Sequence, residues 1–182
     1  MKKALVLLAP GFEEIETVTV VDILRRAGIE VTLAGTADGP LTGRSQIQML
    51  PDVSIDAVLG RHFDVVVLPG GQPGTRNLGS DPRVKQILAE ASAGESYVAA
   101  ICAAPSILSA CGYLKDKKAT SHPSVRPELS DADYSEDAVA VDGRWVTSRA
   151  PGTAMAFAFK LVELLSGSKK ADEVNQGVMA RL

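Results

Sequence analysis

Apolar residues recur along this chain in two alternating rhythms, short unbroken runs and longer stretches spaced at the helical period. Lys3 to Leu8 is a continuous apolar run of strand length, and Glu13 to Ala27 has the period of a helix and stops at Gly28. Glu30 to Ala34 reads as a second strand. Residues 35–60 carry less pattern, with turn residues at Asp38-Gly39-Pro40 and room for one short strand around Ile47 to Leu50. Order returns with a buried strand Asp64 to Leu68, a loop Pro69 to Thr75, a helix Pro82 to Ala93, a strand Tyr97 to Ile101 and a helix Ala104 to Ala110. A short strand near Lys118 to Thr120 is followed by a β-hairpin, Ala138 to Val141 with Trp145 to Thr147, turning at Asp142-Gly143. Helices Thr153 to Leu165 and Ala171 to Met179 close the pattern.

Near-continuous apolar strands alternating with helices predict an α/β fold with a mainly parallel sheet covered on both faces. No repeat, low-complexity run or linker interrupts it, so residues 1–182 are expected to form a single domain. Ligands of such sheets bind where the strands end, near a switch in strand order. Four loops compete for that edge: Ala9 to Glu14, Pro69 to Thr75, the turn at Cys102, and Ser121-His122-Pro123.

Composition narrows the function classes. The chain has 182 residues, 46% of them apolar, and a net charge of −3, which describes an ordinary globular protein. Lysines 115, 117, 118, 169 and 170 form two clusters without interleaved aromatics, so nucleic-acid binding is not expected. The run after Met1-Lys2-Lys3 is too short for a signal peptide and ends in Pro10-Gly11 and acids rather than a cleavage site. No stretch reaches membrane-spanning length, and a cytoplasmic location is the expectation. Two histidines and two cysteines without ligand spacing predict no metal site. Cys102 and Cys111, if joined by helix, lie roughly 13 Å apart along its axis, too far for a disulfide. Cys111, beside Gly112, is expected to be core packing.

Candidate chemistry centres on Cys102. In Val98-Ala99-Ala100-Ile101-Cys102-Ala103-Ala104-Pro105 a strand turns directly into a helix, with Ala100 and Ala104 placing small residues two positions either side of the thiol. This is the spacing of a nucleophile elbow. The helix start is expected to favour the thiolate; a buried structural cysteine is the alternative. Glu16 begins the stripe Glu16, Val20, Ile23, Leu24, Ala27 and so should point at the sheet, where burial would keep it protonated and able to serve as acid, base or hydrogen-bond donor. Glu13 and Glu14 read as charges favouring the helix start. Pro69 to Thr75 lacks the Lys-Ser/Thr pair of a nucleotide-binding P-loop. Its Gly71 N–H, with that of Ala103, is either an oxyanion-binding pair or part of a tight turn. His122 is a candidate partner for the cysteine, against a structural or surface role; His62 has no partner pattern around it.

Taken together these residues resemble the DJ-1/ThiJ/PfpI superfamily, closest to its DJ-1 and YajL-like branch. The resemblance runs through Ala9-Pro10-Gly11-Phe12-Glu13-Glu14-Ile15-Glu16, Asp64-Val65-Val66-Val67-Leu68-Pro69-Gly70-Gly71, Ala99-Ala100-Ile101-Cys102-Ala103-Ala104-Pro105, His122-Pro123 and Thr147-Ser148-Arg149-Ala150-Pro151-Gly152-Thr153. It implies a flavodoxin-like three-layer sandwich, a homodimer, and a site of Cys102 as nucleophile, Glu16 as its buried carboxyl partner and His122 as third member. It further implies a stress-response enzyme acting without a cofactor on a small dicarbonyl or a glycated amine, as glyoxalase or deglycase. A redox sensor or chaperone, with the cysteine oxidised to sulfinic acid, is the alternative. PfpI-type peptidases place His directly after the cysteine, where Ala103 stands here. The DJ-1 branch carries a second Cys followed by Ser-Arg near the dimer contact. This chain reads Thr42-Gly43-Arg44-Ser45, without that thiol and with the arginine displaced by one position.

Overall fold

Both faces of the first strand are buried, which is why it reads as an unbroken apolar run. Ala4, Val6 and Leu8 enter one apolar cluster, while Leu5 and Leu7 enter another. The computed structural model describes residues 1–180. In chain order the elements are β1 (Lys3–Leu8), α1 (Glu14–Arg26), β2 (Glu30–Gly35), β3 (Leu41–Thr42), β4 (Gln48–Met49), β5 (Val53–Ser54), β6 (Val65–Leu68), α2 (Gly74–Ser80) and α3 (Pro82–Ala93). They continue with β7 (Tyr97–Ile101), α4 (Pro105–Ala110), β8 (Lys118–Ala119), β9 (Asp133–Tyr134), β10 (Val139–Asp142), β11 (Trp145–Ser148), α5 (Ala154–Ser166) and α6 (Ser168–Val178).

Seven strands form the main sheet in the order β10-β11-β7-β6-β1-β2-β5. Neighbours run parallel except β10 with β11. Helices α1, α5 and α6 cover one face through Val20, Leu24, Phe157, Leu161 and Val174. Helices α2, α3 and α4 cover the other through Leu78, Val84, Leu88 and Leu108. Each fully buried side chain of this kind contributes about 1.5–3 kcal/mol relative to exposure, so the three layers form a rigid platform. This is the α/β three-layer sandwich expected from the alternating pattern.

The chain builds outward from β1 through β2 to β5, then crosses back and adds β6 on the other side of β1. The switch in direction therefore lies between β1 and β6. The loops leaving their C-terminal ends, together with the end of β7, frame the crevice where such sheets bind ligands.

Several elements differ from the expectation. Helix α2 takes the last two residues of the expected loop and the stretch after it that shows no pattern, because Gly74, Asn77 and Gly79 are poor helix formers and only tertiary contacts hold them. The Gly74 N–H donates to Gly11 O at 3.1 Å, the Asn77 side-chain amide to Pro10 O at 2.8 Å, and Leu78 is buried. The hairpin turns at Gly143-Arg144, one residue later than expected, since Asp142 pairs with Trp145 and Gly143 takes the positive φ of +58°. Short β5 and β9 escape any periodicity because two residues carry none. Cys111 is half-buried, not core packing: it caps α4 and lines a small cavity with Lys85 and Gly79. Among the described residues no helix is long and apolar enough to cross a membrane.

Candidate active site

At the end of β7 the chain must turn from strand to helix within one residue, and Cys102 takes the strain, with φ at +65°. A non-glycine residue holds this conformation only where its surroundings enforce it. Here the Cys102 N–H donates to Ser148 O at 2.9 Å, and Cys102 O accepts the His122 N–H at 2.8 Å. Ala103 and Ala104 are buried directly after the turn. The elbow read from Ala100, Cys102 and Ala104 is thus present, with the Cys102 residue 7% exposed.

Glu16 faces it from α1. The side chain is fully buried, and its Oε2 accepts the Gly70 N–H at 2.7 Å. Oε1 has no hydrogen-bond partner among the described residues, and the carboxyl group interacts with the Cys102 thiol. Gly70 stands between the two. A Cβ added there would lie 2.7 Å from Cys102 Cβ and 2.8 Å from Glu16 Oε2, so a side chain at this position would force the pair apart. Glu13 caps α1 by accepting the Glu16 N–H at 2.8 Å, which orients the first turn.

Burial pushes the Glu16 carboxyl up to about 7. The thiol hydrogen bond, the Gly70 N–H and the Arg44 charge pull the other way, and the Glu13 charge adds to the rise. The Cys102 thiol is pushed up to about 12, first by burial and then by the Glu16 carboxylate opposite. This overturns the expectation of a thiolate favoured by the following helix. Helix α4 has only six residues, and a buried sulfur beside a buried carboxylate cannot share a second negative charge. The two groups behave as a pair holding one proton between them. The thiolate forms when that proton sits on Glu16.

The backbone N–H groups of Gly71 and Ala103 face the Cys102 sulfur and partly offset the rise. The structure therefore brings together Cys102, Glu16, Gly71 and Ala103. It places His122 beside them through its main chain, while the half-buried ring bonds to Ser124: Nδ1 lies 2.7 Å from Ser124 Oγ and accepts the Ser124 N–H at 3.2 Å. Glu14, read as a helix-start charge, has another task. It is buried and ties down the β3–β4 loop by accepting the Ser45 N–H at 2.7 Å. That loop carries Arg44, whose N–H donates to Phe12 O at 2.8 Å and whose charge reaches Glu16. Neither Glu14 nor Ser124 has a sequence signal stronger than its spacing, the serine two residues after a histidine at a turn start.

A groove of about 310 Å³ runs beside the site, walled by Gln72, Thr75 and Arg76 on one side and Ser106 and Glu128 on the other. A separate cavity of about 240 Å³ under Arg61, His62 and Phe63 lies by the N-terminal ends of β6 and β7, the opposite edge of the sheet. Among the described residues no three His, Cys, Asp or Glu side chains cluster to hold a metal ion.

Comparison with known proteins places the arrangement among relatives. The model of the DJ-1/PfpI family matches residues 2–164. Protein dj-1beta of Drosophila melanogaster is 45% identical over 98% of this chain and 97% of its own. The crystal structure of Drosophila melanogaster DJ-1beta superposes with a TM-score of 0.96 at 43% identity, covering 100% of this chain and 99% of that one. Oxidised DJ-1 of Toxoplasma gondii superposes with a TM-score of 0.97 at 32% identity over the whole of both chains. Glutathione-independent glyoxalase DJR-1.2 of Caenorhabditis elegans is 35% identical over 95% of this chain and 94% of its own.

Proposed function

This chain belongs to the DJ-1/PfpI family, and from that premise we propose that it is a cofactor-independent glyoxalase converting methylglyoxal-type dicarbonyls to 2-hydroxy acids. The observation that carries the reading is the buried Cys102 facing the fully buried Glu16 across Gly70, with the Gly71 and Ala103 N–H groups directed at the sulfur. The name of the nematode relative, a glutathione-independent glyoxalase, supports the same class.

The reaction proceeds in balanced steps. Cys102 Sγ attacks the aldehyde carbon as its proton passes to Glu16, and the new oxyanion sits against the Gly71 and Ala103 N–H groups. Glu16 returns that proton to the oxygen, giving a hemithioacetal, and as a carboxylate removes the hydrogen from the same carbon. The electron pair moves toward the neighbouring ketone to form an enediolate, whose negative oxygen takes the proton of the neighbouring hydroxyl. Reprotonation of the second carbon by Glu16 leaves a 2-hydroxyacyl thioester on Cys102, and water cleaves it to the acid and the thiol. One carbon is oxidised and its neighbour reduced, so no external electron acceptor enters. His122 is the third member of the site. Peptidase activity is not part of the reading, since Ala103 occupies the position of the peptidases' histidine.

The reading takes residues 1–182 as one domain of a cytoplasmic homodimer. Ile15 and Val18 on α1, Ile47 in the β3–β4 loop and Leu50 just after β4 are 49–70% exposed, an apolar surface suited to a second copy. It adjoins the site, since the Ile47 N–H approaches Glu14 beside Ile15.

The test is turnover. Purified protein incubated with methylglyoxal should release many equivalents of lactate, and Cys102→Ser should release none. Loss of one equivalent of dicarbonyl per thiol with no lactate would sink the proposal and leave only trapping, which also mimics deglycase action on glycated amines. A second reading, a redox sensor in which Cys102 is oxidised to sulfinic acid, is favoured by the oxidised state of the Toxoplasma gondii relative and by a protonated Glu16 able to donate to a sulfinate oxygen.

A further inference from the structure

We propose that Ser124 is a positioning residue which keeps the ring proton of His122 on Nε2, so that His122 meets the substrate as a hydrogen-bond donor and Glu16 alone carries the proton between carbons. The inference rests on the dicarbonyl reading of the site and assigns a role that reading leaves open.

The geometry at Nδ1 decides the tautomer. The Ser124 main-chain amide lies 3.2 Å from Nδ1 and is directed at it. An amide can only donate, so its partner must present a lone pair. The Ser124 hydroxyl, 2.7 Å from the same nitrogen, could donate or accept. With the proton on Nδ1, the hydroxyl would accept it, but the amide would then face an N–H and lose its partner at the first turn of the 3₁₀ segment Pro123–Leu129. With Nδ1 unprotonated, both Ser124 groups donate and the cap is complete. The neutral ring therefore carries its proton on Nε2.

That assignment divides the labour of the site. The main chain of His122 is held against the elbow by its backbone N–H bond to Cys102 O, and Ser124 occupies the ring Nδ1, so Nε2 is the ring nitrogen left for a ligand. A neutral imidazole in this form has a proton to give and no lone pair to offer from Nε2. It suits the ketone oxygen of the dicarbonyl, where negative charge grows as the enediol forms, while Gly71 and Ala103 serve the oxygen on the first carbon. Removing the carbon-bound hydrogen needs a lone pair close to the sulfur, and the Glu16 carboxylate supplies it.

The ring nitrogens can be read directly by nitrogen-15 NMR of uniformly labelled protein, with His62→Gln used to assign the two histidines. We expect Nδ1 of His122 to show the shift of an unprotonated nitrogen and Nε2 that of a protonated one. Ser124→Ala should move both toward the average of a tautomer mixture and lower kcat for methylglyoxal roughly 2- to 10-fold at nearly unchanged KM, and Ser124→Thr should restore both. A proton on Nδ1 in the unmodified protein would overturn the assignment. So would a Ser124→Ala variant with lower kcat but unaltered ring shifts, because Ser124 would then be only a structural cap. The NMR measurement needs no turnover, so absence of lactate formation would count against the glyoxalase reading while the ring shifts still judged this one.

Discussion

Replacing Glu16 by Gln should stabilise the protein at neutral and alkaline pH and leave it little changed in acid. The glutamine amide keeps the shape, can accept the Gly70 N–H and can donate to the Cys102 sulfur, but it carries no charge to bury. In the unfolded chain the Glu16 carboxyl ionises near 4.5, and in the folded protein near 7. A raised carboxyl binds its proton more tightly when folded, so its contribution is fully present below 4.5 and is lost as pH rises to about 7. The span corresponds to about 3 kcal/mol at 1.36 kcal/mol per pH unit. For a chain of this size that is a difference in Tm of roughly 6–12 °C. Thermal unfolding of both proteins at about pH 5 and about pH 8, at fixed protein concentration, reads it out. Every other titrating group is common to both, so the change in their difference belongs to Glu16. A third protein, Cys102→Ser, locates the charge: it should keep the pH dependence if Glu16 holds it and lose it if the sulfur does. Thiolate absorbance in a Cys111→Ser background should have its midpoint above the ordinary cysteine value of about 8.5, falling in Glu16→Gln as the opposing charge is removed. A wild-type and Glu16→Gln difference that stays flat between the two pH values would refute the reasoning.

Gly70→Ala should abolish most activity, because a methyl 2.7 Å from Cys102 Cβ and 2.8 Å from Glu16 Oε2 must displace one of them. A misplacement on this scale costs about 100-fold, read as kcat/KM for methylglyoxal, and wild-type turnover in this variant would show that the contact is not needed. A bulky maleimide should label Cys111 before Cys102, since Cys111 is only half-buried while Cys102 is buried and held as thiol. Peptide mapping after brief labelling checks this, and modification of Cys102 first would contradict its protonation.

The three central strands were legible because burial on both faces erases alternation: Val65 and Val67 face one layer while Val66 and Leu68 face the other. Cys102 and Glu16 were legible for similarly local reasons, a flank of small residues and a helical stripe. What could not be read depends on partners distant in sequence. Helix α2 owes its existence to Gly11 and Pro10, and Glu14 looks like any acidic residue at a helix start until Ser45 is folded onto it. The direction of the thiol's shift fails for a related reason. The helix start and the Glu16 partner are both visible in the sequence, but how deeply the folded loops bury the sulfur is not, and that burial is the largest cause of the rise. Arg44, displaced by one position from the resembling pattern, influences Glu16 because the β3–β4 loop is tied to the start of α1.

The order in which a ribosome makes this chain bears on when the thiol becomes unusual. Strand β1 emerges early but its neighbour β6 is made only after β2 and β5, and β7 follows later still. The bonds holding the elbow in its strained turn come from the N–H of His122 and the carbonyl of Ser148, both downstream of Cys102. A nascent chain that has exposed Cys102 without those residues has nothing to enforce its positive φ, and its sulfur is an ordinary flexible thiol. Chains truncated between residues 102 and 148 should therefore carry a cysteine open to common alkylating reagents, while completion of β11 closes the pocket around it. The strained turn at Cys102 is thus completed only after β11 is made, which confines its unusual thiol to chains extended at least that far.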